Sequence, residues 1–234
     1  MTVPGNRLDQ LKRQAAIRAI EEVRDGMVVG LGSGSTAAFA VEALAARIAL
    51  GLQVICIPTS EQTAALARQH SVPLTDFGAH PAIDLTIDGA DQIDRRGLTL
   101  VKGRGGALLR EKIVAVASKR LIIIVDETKL FARLGDPVPL PVEVVPMARS
   151  YVARELVRLK GRPVWREGVV TDNGNVILDV HGLRLTDPAA FETTVNQIAG
   201  VVTVGLFAHR GADVLLVAGD DGVRTLTPGT RGPV

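Results

Sequence analysis

Aromatic residues make up only 3% of this 234-residue chain, although 47% of it is apolar. A core with so few rings must be filled by Val, Ile, Leu and Ala, the usual filling of buried parallel strands covered by helices. The chain also lacks a basic stripe. Lys and Arg number 27 against 25 Asp and Glu, for a net charge of +2, and the two signs are interspersed. Without basic patches and interleaved aromatics, a nucleic-acid surface is not expected. There is one cysteine, Cys56, inside the apolar run Val54–Ile57. A single thiol excludes an internal disulfide and fits a reducing compartment. Its position in that run reads as a buried core thiol rather than a nucleophile. No apolar stretch is long enough to span a bilayer, and the N-terminal region has no apolar signal segment, so a soluble cytoplasmic protein with no membrane partner is expected. The four histidines, His70, His80, His181 and His209, have neither metal-ligand spacing nor a Ser/His/Asp order. No internal repeat is visible.

The length suits one large domain or two small ones. Leu8, Leu11, Ala15, Ala19, Ile20 and Val23 recur at helical spacing and predict a helix over 7–24, stopped by Asp25-Gly26. A strand at Met27–Leu31, a helix over 36–49, a strand at Gln53–Ile57, a helix capped by Thr59-Ser60 and a strand at Ile83–Ile87 follow. A hairpin around Arg96-Gly97 spans 93–102. After it come a helix over 107–118 and the apolar strand Leu121–Val125. This alternation predicts a doubly wound α/β sheet of Rossmann-like type. Past Pro137–Pro141 the pattern changes to strand 138–145, helix 148–159, strands 163–170 and 175–180 around Asp172-Asn173-Gly174, helix 188–198 and strand Val201–Phe207. The order β-α-β-β-α-β predicts a second, smaller ferredoxin-like α+β domain. The expected division is 1–132, completed by a returning hairpin within 208–234, and 133–207. The tail from Pro228 carries no apolar pattern and is expected to be loose.

Two stretches carry the chemistry. Gly30-Leu31-Gly32-Ser33-Gly34-Ser35-Thr36 joins a strand to a helix, with exposed amides, hydroxyls and a helix start that together favour an anion. It has no lysine for a P-loop, and Ser35 stands where a dinucleotide fingerprint needs glycine, so neither NAD nor another cofactor is expected. The bland alternative is a plain tight turn. Asp88-Gly89-Ala90-Asp91 follows the alternating Ile83–Ile87 and should emerge at the carboxyl edge of the sheet, where open α/β folds bind ligands. Asx turns are the alternative. With no nearby histidine and no EF-hand spacing, no metal is expected there. Lys102-Gly103-Arg104-Gly105-Gly106 repeats the anion-loop pattern, with Glu111 one turn into the helix beyond it. A lone glutamate there is ordinarily helix electrostatics. Beside a ligand loop it is a candidate base. Lys129, after an apolar strand, can reach the same edge, although taken alone it reads as a solvated lysine.

These residues resemble the ribose-5-phosphate isomerase family of the A type. The resemblance extends through Pro139–Val144 with Pro146-Met147-Ala148, Thr171–Asn175 and Gly200–Phe207. It implies a Rossmann-like domain with a ferredoxin-like one, a homodimer or homotetramer, and metal-independent interconversion of ribose 5-phosphate and ribulose 5-phosphate in the non-oxidative branch of the pentose phosphate pathway. Carried over by motif, Glu111 is the proton-abstracting base. Asp88, Asp91 and Lys102 line the sugar, with Gly89 and Ala90 between them. Ser33, Gly34, Ser35 and Thr36 and the loop Lys102, Gly103, Arg104, Gly105 bind substrate, with Lys129 and Lys12 nearby. Ser33 stands where threonine is also common. Arg104 stands where many members have glycine, and it receives no individual role.

In such an enzyme Glu111 moves the carbon proton. Lys102 and loop amides stabilise the enediolate, Asp88 handles the oxygen-bound proton or ring opening, and the phosphate grip aligns the sugar. Two other classes fit the fold. A sugar-phosphate sensor domain needs no base and usually carries a helix-turn-helix, which is not visible here. A sugar-phosphate deaminase or lactonase would release ammonia or acid.

Overall fold

The computed structural model describes residues 6–94, 98–135 and 137–229. Helix α1, Arg7–Ile20, starts at Asn6, whose side chain accepts the Asp9 amide, and buries Leu11, Ala15, Ala16, Ala19 and Ile20. It is shorter than the apolar spacing predicts. Asp25 accepts the Gln53 amide and Gly26 donates to the Gln53 carbonyl, which draws the chain out of helical geometry, while Val23 still packs in the core. Strand β1, Val28–Leu31, leads into α2, Ser35–Ala49. Strand β2, Ile55–Pro58, leads into α3, Glu61–Gln69, whose N-cap Ser60 accepts the Thr63 amide as expected. Strand β3 is Ile83–Asp88. Strands β4, Gln92–Asp94, and β5, Leu100–Val101, pair antiparallel as predicted. The turn residues Arg96 and Gly97 lie outside the described residues. Helix α4, Leu108–Val116, and strand β6, Ser118–Asp126, complete this stretch.

After β6 a 3-10 turn, Glu127–Lys129, and a short strand β7, Leu130–Phe131, escape the sequence reading. β7 is two residues long and only half-buried, which leaves no periodicity to detect. Then come β8, Leu140–Val144; α5, Arg149–Arg158; β9, Arg162–Trp165; β10, Val176–His181; and α6, Pro188–Asn196. β9 is shorter than expected because residues 167–170 turn outward and are exposed. The predicted strand 201–207 is broken into β11, Val201–Val204, and β12, Leu206–Phe207. The break is Gly205, whose amide donates to the Pro141 carbonyl and whose carbonyl accepts the Lys102 amide. A Cβ there would sit 2.1 Å from the Lys102 carbonyl oxygen. Only glycine passes between those two backbones. Strands β13, Val214–Gly219, and β14, Gly222–Leu226, form the expected returning hairpin. Residues 230–234 of the tail lie outside the described residues.

The main sheet has the order β14-β13-β6-β3-β1-β2, parallel except for the edge strand β14. The chain leaves β1 for β2 on one side and returns to β3 on the other. The carboxyl ends of β1 and β3 therefore flank the switch point where ligands bind in open sheets. Helix α1 runs antiparallel to these strands: Arg7 pairs with Asp220 just past β13, and Glu22 pairs with Arg120 at the start of β6. A second sheet, β11-β8-β10-β9, is antiparallel throughout. Counted along the chain its order is fourth, first, third, second, that of a ferredoxin-like unit. Val142, Val144, Leu178 and Val180 pack on Val152, Leu156 and Val195 of α5 and α6. A small third sheet, β12-β5-β4-β7, lies between the two.

Candidate active site

Three charged side chains meet at the carboxyl edge of β3, all nearly withdrawn from solvent: Asp88 is 2% exposed, Lys102 3% and Glu111 5%. The fold brings them from three directions. Asp88 is the last residue of β3, Lys102 leaves β5, and Glu111 sits in the first turn of α4. Lys102 Nζ lies 3.0 Å from Asp88 Oδ2 and 3.2 Å from Glu111 Oε1, and it donates to the Gly89 carbonyl at 2.5 Å. Asp88 Oδ1 accepts the amides of Gly89 at 2.7 Å and Ser33 at 3.2 Å. This ties the end of β3 to the loop after β1, and it requires glycine at position 32, where a Cβ would stand 2.1 Å from Asp88 Oδ1. Glu111 Oε2 is buried and has no hydrogen-bond partner.

The charges do not cancel, since one ammonium faces two carboxylates. Burial is the largest influence on each acid. It pushes Glu111 up to about 8, a rise that Lys102 restrains and Asp88 reinforces, and it also raises Asp88. Burial alone would lower the Lys102 ammonium, but Asp88, Glu111 and Asp91 together outweigh it and hold the lysine above its usual range. The site therefore holds a firmly charged cation beside a carboxyl that exchanges its proton near neutral pH. Such a division suits acid–base catalysis.

The loop after β1 divides its hydroxyls. Ser33 turns inward and shares hydrogen bonds with Thr59 Oγ1 at 2.7 Å, Ser60 Oγ at 2.9 Å and Thr63 Oγ1 at 3.3 Å. Ser35 and Thr36 open α2 without a hydrogen-bonded partner for either hydroxyl among the described residues, and the N-cap Gly34 supplies no side chain. The first amides of α2 thus remain available to an anion. On the other side, Asp91 Oδ2 accepts the Arg104 amide at 2.9 Å, and the Asp91 amide donates to the Val101 carbonyl. Gly89, Ala90 and Gly103 lie in this stitched pair of loops, while Gly105 and the Arg104 side chain are exposed.

The two remaining lysines are less engaged with the cluster. Lys129 ends the 3-10 turn after β6, half-buried and without an ion pair among the described residues. Lys12 lies on α1 and pairs with Asp9 at 3.3 Å. Arg7 at the start of α1 lies at the carboxyl edge, and Lys12 falls near the middle of the helix. Cys56 is fully buried and its thiol is pushed up to about 12 by burial, which makes a poor nucleophile. The described residues contain no group of three or more His, Cys, Asp or Glu able to hold a metal ion. None of the described helices is long and apolar enough to cross a membrane.

Sequence reasoning missed the hydroxyl cluster around Thr59 and Thr63. It also missed Phe207, whose buried ring has the Lys102 ammonium 6.0 Å and the Lys112 ammonium 4.7 Å from its centroid. It missed Arg166 as well, which reaches the 103–104 loop from the second sheet. Only Thr59-Ser60 had a local signal, as a helix cap. The other contacts join residues far apart in sequence.

A doubly wound sheet with a buried carboxylate–lysine pair and an uncapped helix start at its switch point defines a class, that of enzymes moving protons on small phosphorylated substrates. Comparison makes this particular. The family profile described as ribose 5-phosphate isomerase A (phosphoriboisomerase A) matches residues 55–222. A ribose 5-phosphate isomerase A structure from Neisseria gonorrhoeae is 40% identical, covering 94% of this chain and 97% of that one at a TM-score of 0.91. The corresponding structure from Methanocaldococcus jannaschii is 41% identical over 94% and 99%, also at 0.91. A D-ribose-5-phosphate isomerase in complex with phospho-erythronic acid is 37% identical over 94% and 99%, again at 0.91. The chain belongs to the ribose 5-phosphate isomerase A family, and its activity is the interconversion of ribose 5-phosphate and ribulose 5-phosphate.

Proposed function

We propose that Glu111 is the base of this isomerisation. The observation that carries the assignment is Glu111 Oε2, a buried carboxylate oxygen with no partner on a group whose proton affinity is raised to about 8. Glu111 takes the proton from C2 of the open-chain aldose and returns it to C1 of the enediolate. Lys102 stabilises the negative charge that grows on the substrate oxygens. Asp88, held by the Ser33 and Gly89 amides, moves the oxygen-bound proton or assists ring opening. Asp91 and the 102–105 loop hold the sugar. Ser35, Thr36 and the first amides of α2 grip the phosphate, with Lys129 and Lys12 supplying positive charge. No cofactor or metal takes part in this scheme. The ligand of the relative, phospho-erythronic acid, is a phosphorylated acid whose carboxylate resembles an enediolate, and it is the natural probe for this site.

The test is Glu111→Gln with ribose 5-phosphate deuterated at C2. Loss of both turnover and washout of the label into solvent, with phospho-erythronic acid still bound, is expected. Washout at the wild-type rate would assign the base elsewhere.

We further propose that residues 1–132 with 208–234, and 133–207, are the two domains, and that the protein is a cytoplasmic homodimer or homotetramer. Met147, Tyr151, Val164, Trp165 and Val170 form exposed apolar surface on the second of these, which supports self-association. Sedimentation of the purified protein decides the subunit number.

A further inference from the structure

Arg166 leaves β9 and uses every nitrogen of its guanidinium. Nε and Nη2 bind the two carboxylate oxygens of Asp179 on β10, at 2.8 and 2.5 Å. Nη1 donates to two successive carbonyls of the substrate loop, Gly103 and Arg104, each at 3.0 Å. Both side chains of the ion pair are mostly buried, so the fork is held in one geometry. Within itself the loop is closed by one turn hydrogen bond, the Gly106 amide donating to the Gly103 carbonyl at 3.0 Å. Gly103 and Gly106 adopt φ of +110° and +83°, and the Arg104 carbonyl is fixed by Arg166.

A trans peptide is planar, with its carbonyl and N–H pointing in opposite directions. Whatever fixes a carbonyl on one side therefore aims an amide on the other. In the Gly103–Arg104 peptide the carbonyl goes to Arg166 and the amide goes to Asp91 Oδ2 at 2.9 Å. In the Arg104–Gly105 peptide the carbonyl again goes to Arg166. The Gly105 amide faces away from it, and among the described residues it has no hydrogen-bond acceptor. The two peptides thus form a bridge from Asp179 through Arg166 to Asp91.

We propose that Arg166, locked by Asp179, is a positioning residue for substrate. From the second sheet it sets the 103–105 peptides so that Asp91 is held and the Gly105 amide is presented to the sugar phosphate. The inference rests on the reading of the 102–105 loop and Asp91 as substrate contacts. It adds that their geometry is decided by a charged pair from the other sheet. Arg166 touches no reacting atom, so it governs binding rather than the proton transfer.

The test is steady-state kinetics with ribose 5-phosphate on Arg166→Gln, Asp179→Asn, Asp91→Asn and the Asp91→Asn/Arg166→Gln double variant, with melting temperatures measured alongside and Glu111→Gln as the control for the site. Arg166→Gln is expected to raise KM roughly tenfold while kcat stays within about threefold, since misplaced binding groups weaken alignment without removing the base. The acid limb of its pH profile stays where it is in the wild type. Asp179→Asn moves KM in the same direction by less. In the Asp91→Asn background, Arg166→Gln has a smaller effect than in the wild type, because the two share the Gly103–Arg104 peptide while the Arg104–Gly105 peptide depends on Arg166 alone. A lowered melting temperature with wild-type KM in Arg166→Gln overturns the proposal, as does a full tenfold effect of Arg166→Gln in the Asp91→Asn background. If Arg166→Gln does not fold, Asp179→Asn decides: wild-type KM there overturns it. Full activity in Glu111→Gln would instead sink the reading of the site itself.

Discussion

Two of the glutamates buried among the described residues, Glu143 and Glu111, have unlike surroundings. Glu143, in the middle of β8, gathers its donors on one oxygen: Thr171 Oγ1 at 2.8 Å, Asn175 Nδ2 at 2.9 Å and Asn173 Nδ2 at 3.3 Å. Neutral donors from one tight turn fasten that turn to the sheet. The same turn then meets the first sheet's helices, since Asp172 accepts the Glu61 amide and its carbonyl accepts from Arg110, the neighbour of Glu111. Glu111 has no such turn around it. Its one partner is the Lys102 ammonium, and a second carboxylate, Asp88, shares that lysine. Both glutamates have an orphan Oε2. The difference lies in what surrounds the other oxygen. Hydrogen-bond donors with no charge to trade make a fastener. A contested cation in a dry setting makes a group that can take up and release a proton.

The largest expected effect breaks this comparison directly. Glu111→Gln lowers kcat by roughly a hundredfold or more, whereas Glu143→Gln leaves kcat within about threefold. Glu143→Ala should instead destabilise the fold, because removing the acceptor strands the buried Thr171 hydroxyl, at about 1–3 kcal/mol. Equal kcat losses in Glu111→Gln and Glu143→Gln would erase the distinction.

Next comes the anion grip. Changing Ser35 and Thr36 together to alanine removes the proposed hydrogen bonds to phosphate, worth on the order of 1.5–3 kcal/mol each, so kcat/KM for ribose 5-phosphate should fall strongly. Unphosphorylated ribose, a poor substrate of either protein, should lose little further. Similar losses on both substrates would mean that the loop serves the fold or the sugar.

A smaller effect follows from the raised proton affinity of Glu111. In the proposed scheme the ionised form is the base, so kcat/KM should climb with pH through about 8 and flatten above it. The stability effect has the opposite sign. A carboxyl raised from its ordinary 4.5 to about 8 favours the fold while protonated, and that contribution is lost as pH rises through the folded value. Above pH 8, Glu111→Gln should therefore melt higher than the wild type, by roughly 5 °C, with the gain shrinking toward pH 4.5. A variant that is less stable at every pH would contradict the burial argument. The smallest expected effect is none at all: activity measured in EDTA should equal that without it, and loss restored by a divalent ion would overturn the metal-free scheme.

Local pattern carried much of this molecule. The parallel alternation from β1 to β6, the β-α-β-β-α-β order and the helix cap at Ser60 follow from periodicity and capping, which are short-range. So do the candidate residues themselves, because Gly/Ser-rich and Asp-Gly loops at strand ends are marked by composition. What lay hidden was longer in range. Nothing local marks Gly205 as the point where one predicted strand must divide between two sheets, nor β7, nor the early end of α1, which is drawn out by Gln53.

The sequence alone determined that Asp88, Lys102 and Glu111 stand at the ends of β3 and β5 and at the start of α4, because strand and helix periods fix where a side chain falls along an element. It also determined the family, because the motifs occur in one order along the chain. Tertiary structure alone decided that the three share one dry cluster, that Ser33 spends its hydroxyl on Thr59, Ser60 and Thr63 while those of Ser35 and Thr36 stay unpaired among the described residues, and that Arg166 holds the 103–104 carbonyls. The physical reason is that proton affinity and hydrogen-bond direction depend on distance and solvent exclusion. Those are set only when separate elements bury the Lys102 ammonium 3.0 Å from Asp88 and 3.2 Å from Glu111.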